Sequence, residues 1–510
     1  MSKINSLVPL VNSLSKGEKR YFKLYSGLQE GSKSYMQLFD CLDKGMSIKE
    51  AKDVVLKKKE SASFNVICNY LYKLIISCVL HVRAGKTVSI KLMTDLLKAG
   101  LLFDKGLHDD GFLQLENIQS TAERFELPMI RLLALKMQLD YISNLNFHKI
   151  TEKELIEKQM KVQELIRYSQ HYSQHASLYQ LLHHRLLHNG SVRTEQQKAE
   201  LNDLLIAEVN LVSRPFAETF ESRKNHLLFQ AYYFISVSNY KPALKAFYEL
   251  NQLFEEQREL WEQSPMDYIL TIEGILDSLH TIRQHKEIDY YIQQLKRITA
   301  TSGYPEITIQ RIIFTYTIIV CLNKGDFRKA VLCQEDFREL LFKRIKLLDP
   351  GKQAEVHLYT ALIFMGTGDM KKAHAHLNKI LFESKLYSTL PVYRTFRLIH
   401  LLVHFELGNH DYIRHEIRSM KRDLTGNHQQ AYELEKIIFR FVGLEKLPAS
   451  IKERTALWEK TQKELRKAMA NKYEIQLWKI FDFSGWIESR LLKKSFAALL
   501  KERFQEEKNF

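Results

Sequence analysis

The chain has 510 residues, a formal net charge of +15, 45% hydrophobic residues and 26% charged residues. Glycine (19) and proline (9) are scarce; because strand connections need turn residues, this composition argues against a β-rich fold and favours long helices. The five cysteines form no Cys-x-x-Cys pair, which argues against a disulfide framework and a structural zinc site.

Residues 1–90 are predicted to form a separate basic module of helices at 15–28, 35–43, 47–58 and 62–83. It holds 15 Lys/Arg against 7 Asp/Glu, and capping boxes begin two of its helices at Ser15 and Ser47. Its basic residues comprise one helix face and a later run: Lys16, Lys19, Arg20, Lys23, Lys57, Lys58 and Lys59. Such residues can contact nucleic-acid phosphates, but the solvated face of an amphipathic helix is the favoured interpretation.

Residues 91–445 are predicted to repeat as helix–turn–helix units. The clearest unit, 354–384, has Gly368 at the turn and the small residues Ala361 and Ala373 where its helices should cross. Aligned turn positions recur at spacings of 40 to 45 residues, at Ser238, Arg283, Gly325, Gly368 and Gly408. An earlier unit has small residues at its crossing positions Ala99 and Gly111.

This pattern resembles the tetratricopeptide repeat, with small residues at the helix crossing, an aromatic residue three positions further on and Gly-Asp at the turn. Because the period of that family is about 34 residues, the helices here must be longer or the loops wider. The resemblance implies an all-α superhelix in which residues 446–510 form a helical cap. The segments LSKGEKRYFKLY and FDFSGWIESRLLKKSF are also similar to uncharacterised proteins of the Bacteroidota, which implies no activity.

The resemblance further implies a concave groove lined by the first helix of each unit. Its inward positions are Lys224, Tyr232, Thr315, Asn323, Glu355, Leu362, Met365, Leu402 and Glu406. This mixture of aromatic, thioether and charged side chains suits an extended peptide or a helix better than a small molecule. Alternatively, longer helices close the superhelix, and these residues pack against its next turn.

The sequence contains no phosphate-binding loop, dinucleotide fingerprint or nucleophile elbow. His400 and His404 have the i, i+4 spacing of a metal-binding pair, but they lie in an apolar run without a His-Glu-x-x-His motif, so core or groove histidines are favoured. A second histidine group, also interpreted without a metal, spans residues 171–188.

We therefore predict a non-enzymatic scaffold without cofactor or metal, whose partner is a protein or peptide. The alternative is a regulator whose N-terminal module contacts nucleic acid while the repeats bind a partner. The most apolar windows, 71–82 and 312–322, are shorter than the roughly 20 residues that a membrane helix needs. No apolar stretch of signal-peptide length follows the N-terminus, so the sequence predicts a cytoplasmic protein.

Overall fold

The structure is a computed structural model that describes residues 4–27, 34–56, 63–83, 85, 87–148, 150–189, 192, 194–213, 219–262, 265–299, 303–381, 392–426 and 432–508. Throughout these residues the regular elements are helices, and no strand is found among them. The predicted all-α class is therefore confirmed.

The first helices form a module with an apolar core of its own. They are α1 (Ile4–Ser13), α2 (Lys16–Gly27), α3 (Ser34–Asp43), α4 (Ile48–Leu56) and α5 (Phe64–Arg83). Both predicted capping boxes are confirmed, because Ser15 and Ser47 each exchange hydrogen bonds with the glutamate three residues later. The sequence did not predict α1, which has Pro9 inside it.

The next helices run back and forth beside one another. They are α6 (Val88–Asp104), α7 (His108–Arg124), α8 (Pro128–Asn144), α9 (Glu152–Asn189), α10 (Glu195–Ala199) and α11 (Asn202–Val212). The predicted crossing of α6 and α7 is confirmed: Ala99 is fully buried, and a Cβ at Gly111 would approach the Phe103 ring to 2.8 Å. A small residue is therefore required at position 111.

Between positions 220 and 426, the residues that the structure describes form helical hairpins. Their helices are α12 (Phe220–Ser236), α13 (Tyr240–Glu256), α14 (Arg258–Trp261), α15 (Met266–Thr281), α16 (Ile288–Arg297), α17 (Gly303–Asn323), α18 (Phe327–Leu340), α19 (Pro350–Thr367), α20 (Met370–Leu381), α21 (Val392–Glu406) and α22 (His410–Gly426). Pairs α12/α13, α15/α16, α17/α18, α19/α20 and α21/α22 are the hairpins, and each packs against the next in chain order. One apolar core runs through them all.

The turn between the two helices of each hairpin has a left-handed residue at the predicted position. The φ angles are 58° at Ser238, 62° at Arg283, 64° at Gly325, 84° at Gly368 and 74° at Gly408. Three of the five are glycine, which adopts this conformation without steric cost, whereas Ser238 and Arg283 adopt it despite their side chains. The aligned turn positions are therefore confirmed.

The last helices are α23 (Glu433–Val442), α24 (Ile451–Met469), α25 (Ile475–Trp478), α26 (Phe483–Leu492) and α27 (Phe496–Lys508). Beyond α24 the chain returns along the hairpins, and we call residues 472–508 the return segment. Near its beginning, the Glu474 carboxylate accepts hydrogen bonds from the N–H groups of Glu433 and Leu434 at the start of α23. At its far end, the Phe496 ring stacks on Phe327 of α18.

Two helices, α5 and α17, are long and apolar enough by length and composition to cross a membrane. Of the apolar window in α17, 78% is buried inside the protein, as expected for a core helix. In α5 the buried share is 33%, and this helix packs against α1, α2 and α3.

We expect Ala373→Leu to lower the free energy of unfolding by roughly 1–3 kcal/mol, because Ala373 is fully buried at the crossing of α19 and α20 and a larger side chain would overpack it. Chemical denaturation followed by circular dichroism measures this change. The control is Lys371→Leu, two residues before Ala373 on the exposed side of α20, which should change stability little. Equal effects of the two substitutions would contradict the register of this hairpin.

Candidate functional site

The nine positions predicted to line a groove lie on the first helices of the hairpins, and much of that face is covered. Five of the nine residues are buried, namely Lys224, Thr315, Leu362, Met365 and Leu402. The other four are half-buried, namely Tyr232, Asn323, Glu355 and Glu406. We call this side of the hairpins the inner face. That it binds a partner stays a prediction, and in this conformation none of its nine positions is fully exposed.

At the centre of the inner face, charges from three consecutive hairpins meet. The Arg311 guanidinium, on α17, is 1% exposed and donates two hydrogen bonds, of 2.5 and 2.7 Å, to the carboxylate of Glu273 on α15. From α19, Lys352 Nζ lies 2.8 Å from Glu273, and the Glu355 carboxylate lies 3.4 Å from Arg311. These four side chains form the central charge cluster.

The opposite charges in the central charge cluster keep Glu273 and Arg311 ionised. Burial alone would raise the pKa of Glu273, but the charges of Arg311 and Lys352 hold it well below its ordinary value. Burial alone would lower the pKa of Arg311, and the Glu273 carboxylate raises it instead. Removing one partner would leave a buried, uncompensated charge, so this cluster fixes how α15, α17 and α19 sit against one another.

The return segment supplies much of the cover. Lys479 Nζ pairs with Asp277 of α15 at 2.9 Å, and His280 Nε2 donates a hydrogen bond of 2.6 Å to the Lys479 carbonyl oxygen. Further along, Glu406 of α21 accepts a hydrogen bond from Trp486 Nε1 at 3.0 Å and pairs with Arg490 at 2.5 Å. The chain itself therefore occupies a large part of the surface that the repeat pattern assigned to a partner.

Helix α9 covers the inner face at its other end. The ring of Tyr232, on α12, lies 5.5 Å from the ring of Tyr179 and 4.8 Å from the ring of His183, both on α9. Nearby, Lys224 is held by Asp267 at 2.7 Å and Glu221 at 2.8 Å. These predicted groove residues are thus engaged with neighbouring parts of the chain.

A cavity of about 340 Å³ lies between the return segment and the first helices of the hairpins. Two predicted groove residues, Asn323 and Leu362, line it together with His280. Two of its three lysine and arginine side chains are paired within the described ion pairs, Lys479 with Asp277 and Arg503 with Asp482 and Glu488. The cavity therefore does not present these two charges to a ligand.

Half of the predicted basic face on α2 is neutralised by α3. Lys19 pairs with Asp43 at 2.7 Å, and Lys23 pairs with Asp40 at 3.1 Å. Lys16 and Arg20 are exposed. The run Lys57, Lys58 and Lys59 lies outside the described residues. Contact with nucleic acid stays a prediction, and among the described members of this set the exposed pair is where phosphates would have to bind.

Three histidines come together where α20, α21 and α22 meet. His400 and His404 are buried on α21, as the sequence predicted, and the structure adds His374 from α20. One ring nitrogen from each lies within 4.8 Å of the others. Burial lowers the pKa of all three imidazoles, that of His404 to about 4. Sequence reasoning missed His374 because it stands 26 residues before His400, on a different helix.

The second histidine group is spread along α9. His171 and His175 are in edge-to-face contact, with ring centroids 4.8 Å apart, and His175 Nδ1 lies 3.8 Å from the buried Glu208 carboxylate. His184 and His188 pack against each other one turn apart, away from Glu208. The structure thus separates the five histidines of this stretch into smaller groups.

An exposed apolar surface lies on α6 and α8, outside every predicted site. These helices are neighbours, since a Cβ at Gly100 of α6 would lie 3.4 Å from the Met137 methyl of α8. Five large apolar side chains on them are 56 to 73% exposed: Met93, Leu97, Leu101, Met129 and Leu133. We call these five residues the α6–α8 surface.

The spacing of apolar residues in the sequence could have predicted this surface. Met93, Leu97 and Leu101 follow one another at intervals of four, so they share a face of α6, and Met129 and Leu133 do the same on α8. The buried residues Leu92, Leu96 and Ala99 form a second apolar stripe on α6. One apolar stripe is enough for a helix to pack against a core, so a second stripe on α6 indicates a second contact surface.

No known family model matches this chain, and neither the curated proteins nor the solved structures include a match to it. The conclusions below therefore depend on the chain's own residues.

We expect acidification from pH 7 to pH 5 to destabilise the protein, partly through His280. Burial lowers the pKa of this imidazole to about 4. In that pH range the unfolded chain binds a proton here and the folded protein does not, so the free energy of unfolding falls as the pH falls. The contribution of His280 is on the order of 1 kcal/mol. Urea denaturation at both pH values measures the total loss.

The variant His280→Gln isolates this contribution, because an amide N–H can still donate to the Lys479 carbonyl oxygen but does not titrate. Between pH 7 and pH 5 the free energy of unfolding of this variant should fall less than that of the wild type. The difference should equal the contribution of His280, on the order of 1 kcal/mol. An unchanged pH dependence would show that His280 is not held neutral by the fold.

Proposed function

We propose that the protein is a non-enzymatic adaptor, and that its α6–α8 surface binds an amphipathic α-helix of a partner protein. The observation that carries this proposal is the row of five large apolar side chains, each more than half exposed, on two adjacent helices. Large exposed apolar side chains grouped on neighbouring helices of a folded protein are typical of a binding surface.

The chemistry of the surface favours a helix as the occupant. Two neighbouring helices with apolar rows form a shallow groove, and an amphipathic helix lays its i, i+3, i+4 and i+7 side chains into such a groove. Two of the five residues are methionines, whose flexible thioether side chains adapt to the shape of the incoming helix. Gly100 between the helices lets them approach closely, which keeps the two rows together.

The charges beside the surface define the polar side of the partner helix. Lys91, Lys98 and Lys105 are exposed and follow α6 at intervals of seven residues, and Lys136 is exposed on α8. Lys98 already has an ion pair with Asp95 at 2.8 Å. Asp95 and the exposed Asp104 and Asp140 lie on the same two helices, so the lysines exceed the aspartates by one. This small excess favours a helix whose flanks carry aspartate or glutamate, because opposite charges at the rim of an interface set its orientation and its rate of association.

We further propose that the hairpins form a superhelical array of the tetratricopeptide type. Support comes from the left-handed turns at spacings of 40 to 45 residues, the fully buried Ala231, Ala330, Ala361 and Ala373, and the packing of each hairpin on the next. In such an array the inner face is the usual place for a partner. Here the return segment and α9 cover much of it, and this cover favours the α6–α8 surface as the place where a partner docks.

The test selects helical peptides from a displayed library of amphipathic sequences on the full-length protein and measures their affinity by fluorescence anisotropy. We expect the selected peptides to carry acidic flanks and to bind the double variant Leu97→Glu/Leu133→Glu at least about tenfold more weakly, because a buried carboxylate would face the apolar side of the peptide. Salt should weaken binding moderately.

The matched control is Leu332→Glu/Ile451→Glu, which adds the same charge at two other exposed apolar residues, 62 and 79% exposed. It should bind the selected peptides as the wild type does. Peptides that bind both double variants equally would refute the proposal. So would a wild-type protein that sediments as a dimer while the Leu97→Glu/Leu133→Glu variant is a monomer, since the surface would then join two copies of this chain.

A further inference from the structure

The imidazoles of His374, His400 and His404 are arranged around a common point. The Nε2 atoms of His400 and His404 are 3.1 Å apart. Two nitrogens bound to one tetrahedral zinc ion at 2.0–2.1 Å are separated by about 3.3 Å, so this pair already has nearly the required spacing. The His374 nitrogen, within 4.8 Å of both, would have to move by at most about 1.5 Å. This movement of the half-buried side chain would change its contact with the Asn378 amide nitrogen, which lies 3.2 Å from both ring nitrogens.

The opposite sides of the two buried rings are held by polar groups. The Tyr412 hydroxyl lies 3.3 Å from His400 Nδ1, and the Asn409 side-chain amide lies 2.9 Å from His404 Nδ1. The Asn409 atom nearest His404 Nδ1 is the amide nitrogen Nδ2, so zinc binding requires this amide to turn over and accept from the Nδ1–H group through its oxygen. With the Tyr412 hydroxyl accepting from His400 Nδ1–H, both Nε2 lone pairs then point into the cluster. Metal-binding histidines are commonly oriented by such a bond to the second ring nitrogen.

The donor set limits which metal fits. The cluster consists of three neutral imidazoles and contains neither carboxylate nor thiolate. Calcium and magnesium require oxygen ligands, whereas three histidines with a fourth position open to water form a known type of zinc site. Arg397, one turn before His400, already pairs with Glu416 and Asp423, so its charge is balanced on the side away from the cluster.

We propose that His374, His400 and His404 bind a zinc ion that joins α20 to α21. Because these helices belong to consecutive hairpins, the ion would connect two units of the array. It would reach the cluster from the protein surface beside His374 and Tyr412, the second of which is 37% exposed. This inference is independent of the α6–α8 surface and goes beyond the proposed adaptor function.

The alternative is a chain of hydrogen bonds without metal. In that arrangement the Asn409 amide N–H donates to His404, the His404 Nε2–H donates to His400, and the His400 Nδ1–H donates to Tyr412. The atoms are close enough for every step. This chain uses only two of the three histidines, whereas a metal site uses all three, and His374 therefore distinguishes the two arrangements.

Equilibrium dialysis of the full-length protein against zinc chloride, followed by elemental analysis, tests the proposal, with the melting temperature measured alongside. We expect one tightly bound zinc ion per chain and a melting temperature that rises with zinc concentration. Cobalt(II) at the same site should give the strong visible absorption of a tetrahedral complex. In His374→Gln the affinity for zinc should fall about 100-fold or more, since losing a ligand costs at least as much as losing its second-shell partner.

The matched control is His376→Gln, which removes a half-buried imidazole two residues away on the same helix. It should bind zinc as the wild type does. His374 is itself only half-buried, so its variant is expected to fold. Absence of a stoichiometric zinc ion, or equal zinc affinity in the His374→Gln and His376→Gln variants, would overturn the proposal and leave the hydrogen-bond chain.

Discussion

A buried arginine must have its charge matched, and the middle of this structure is arranged around that requirement. Arg311 is 1% exposed, and its partners come from the hairpins before and after its own, Glu273 from α15 and Glu355 from α19. The apolar core between the hairpins could tolerate small shifts of one helix past another, whereas a bidentate ion pair could not. The central charge cluster therefore fixes the position of each hairpin relative to the next, and the apolar contacts contribute most of the stability.

The sequence predicted the parts of this fold that are decided locally. A left-handed turn needs a particular backbone conformation at one residue, and a close helix crossing needs a small side chain, so Gly368 and Ala373 identified their hairpin without any long-range information. The same reasoning located the turns at Ser238 and Arg283 by alignment, although neither is a glycine. Helix α1 was missed, because Pro9 and the absence of a recognisable cap hide its periodicity.

Contacts between distant parts of the chain could not be predicted in this way. Nothing in the spacing of Trp486 and Arg490 reveals that both meet Glu406, 80 and 84 positions earlier. The approach of His374 to His400 likewise depends on how two hairpins pack, which a helical repeat pattern leaves undetermined. The nine positions predicted to line a groove lie on the first helices, and their cover by other parts of the chain was not foreseen.

The return segment also has a consequence for the order of events during synthesis. Tyr473 leaves the ribosome about 150 residues after Asn323, which at common elongation rates is roughly 8 to 30 s later. For that interval the part of the inner face that the return segment later covers is open to water, whereas α9 has already been synthesised. The centre of the inner face carries Glu273, Arg311 and Lys352 rather than an apolar stripe. Because water can hydrate these charges while the ribosome completes the chain, the centre does not expose an aggregation-prone apolar surface.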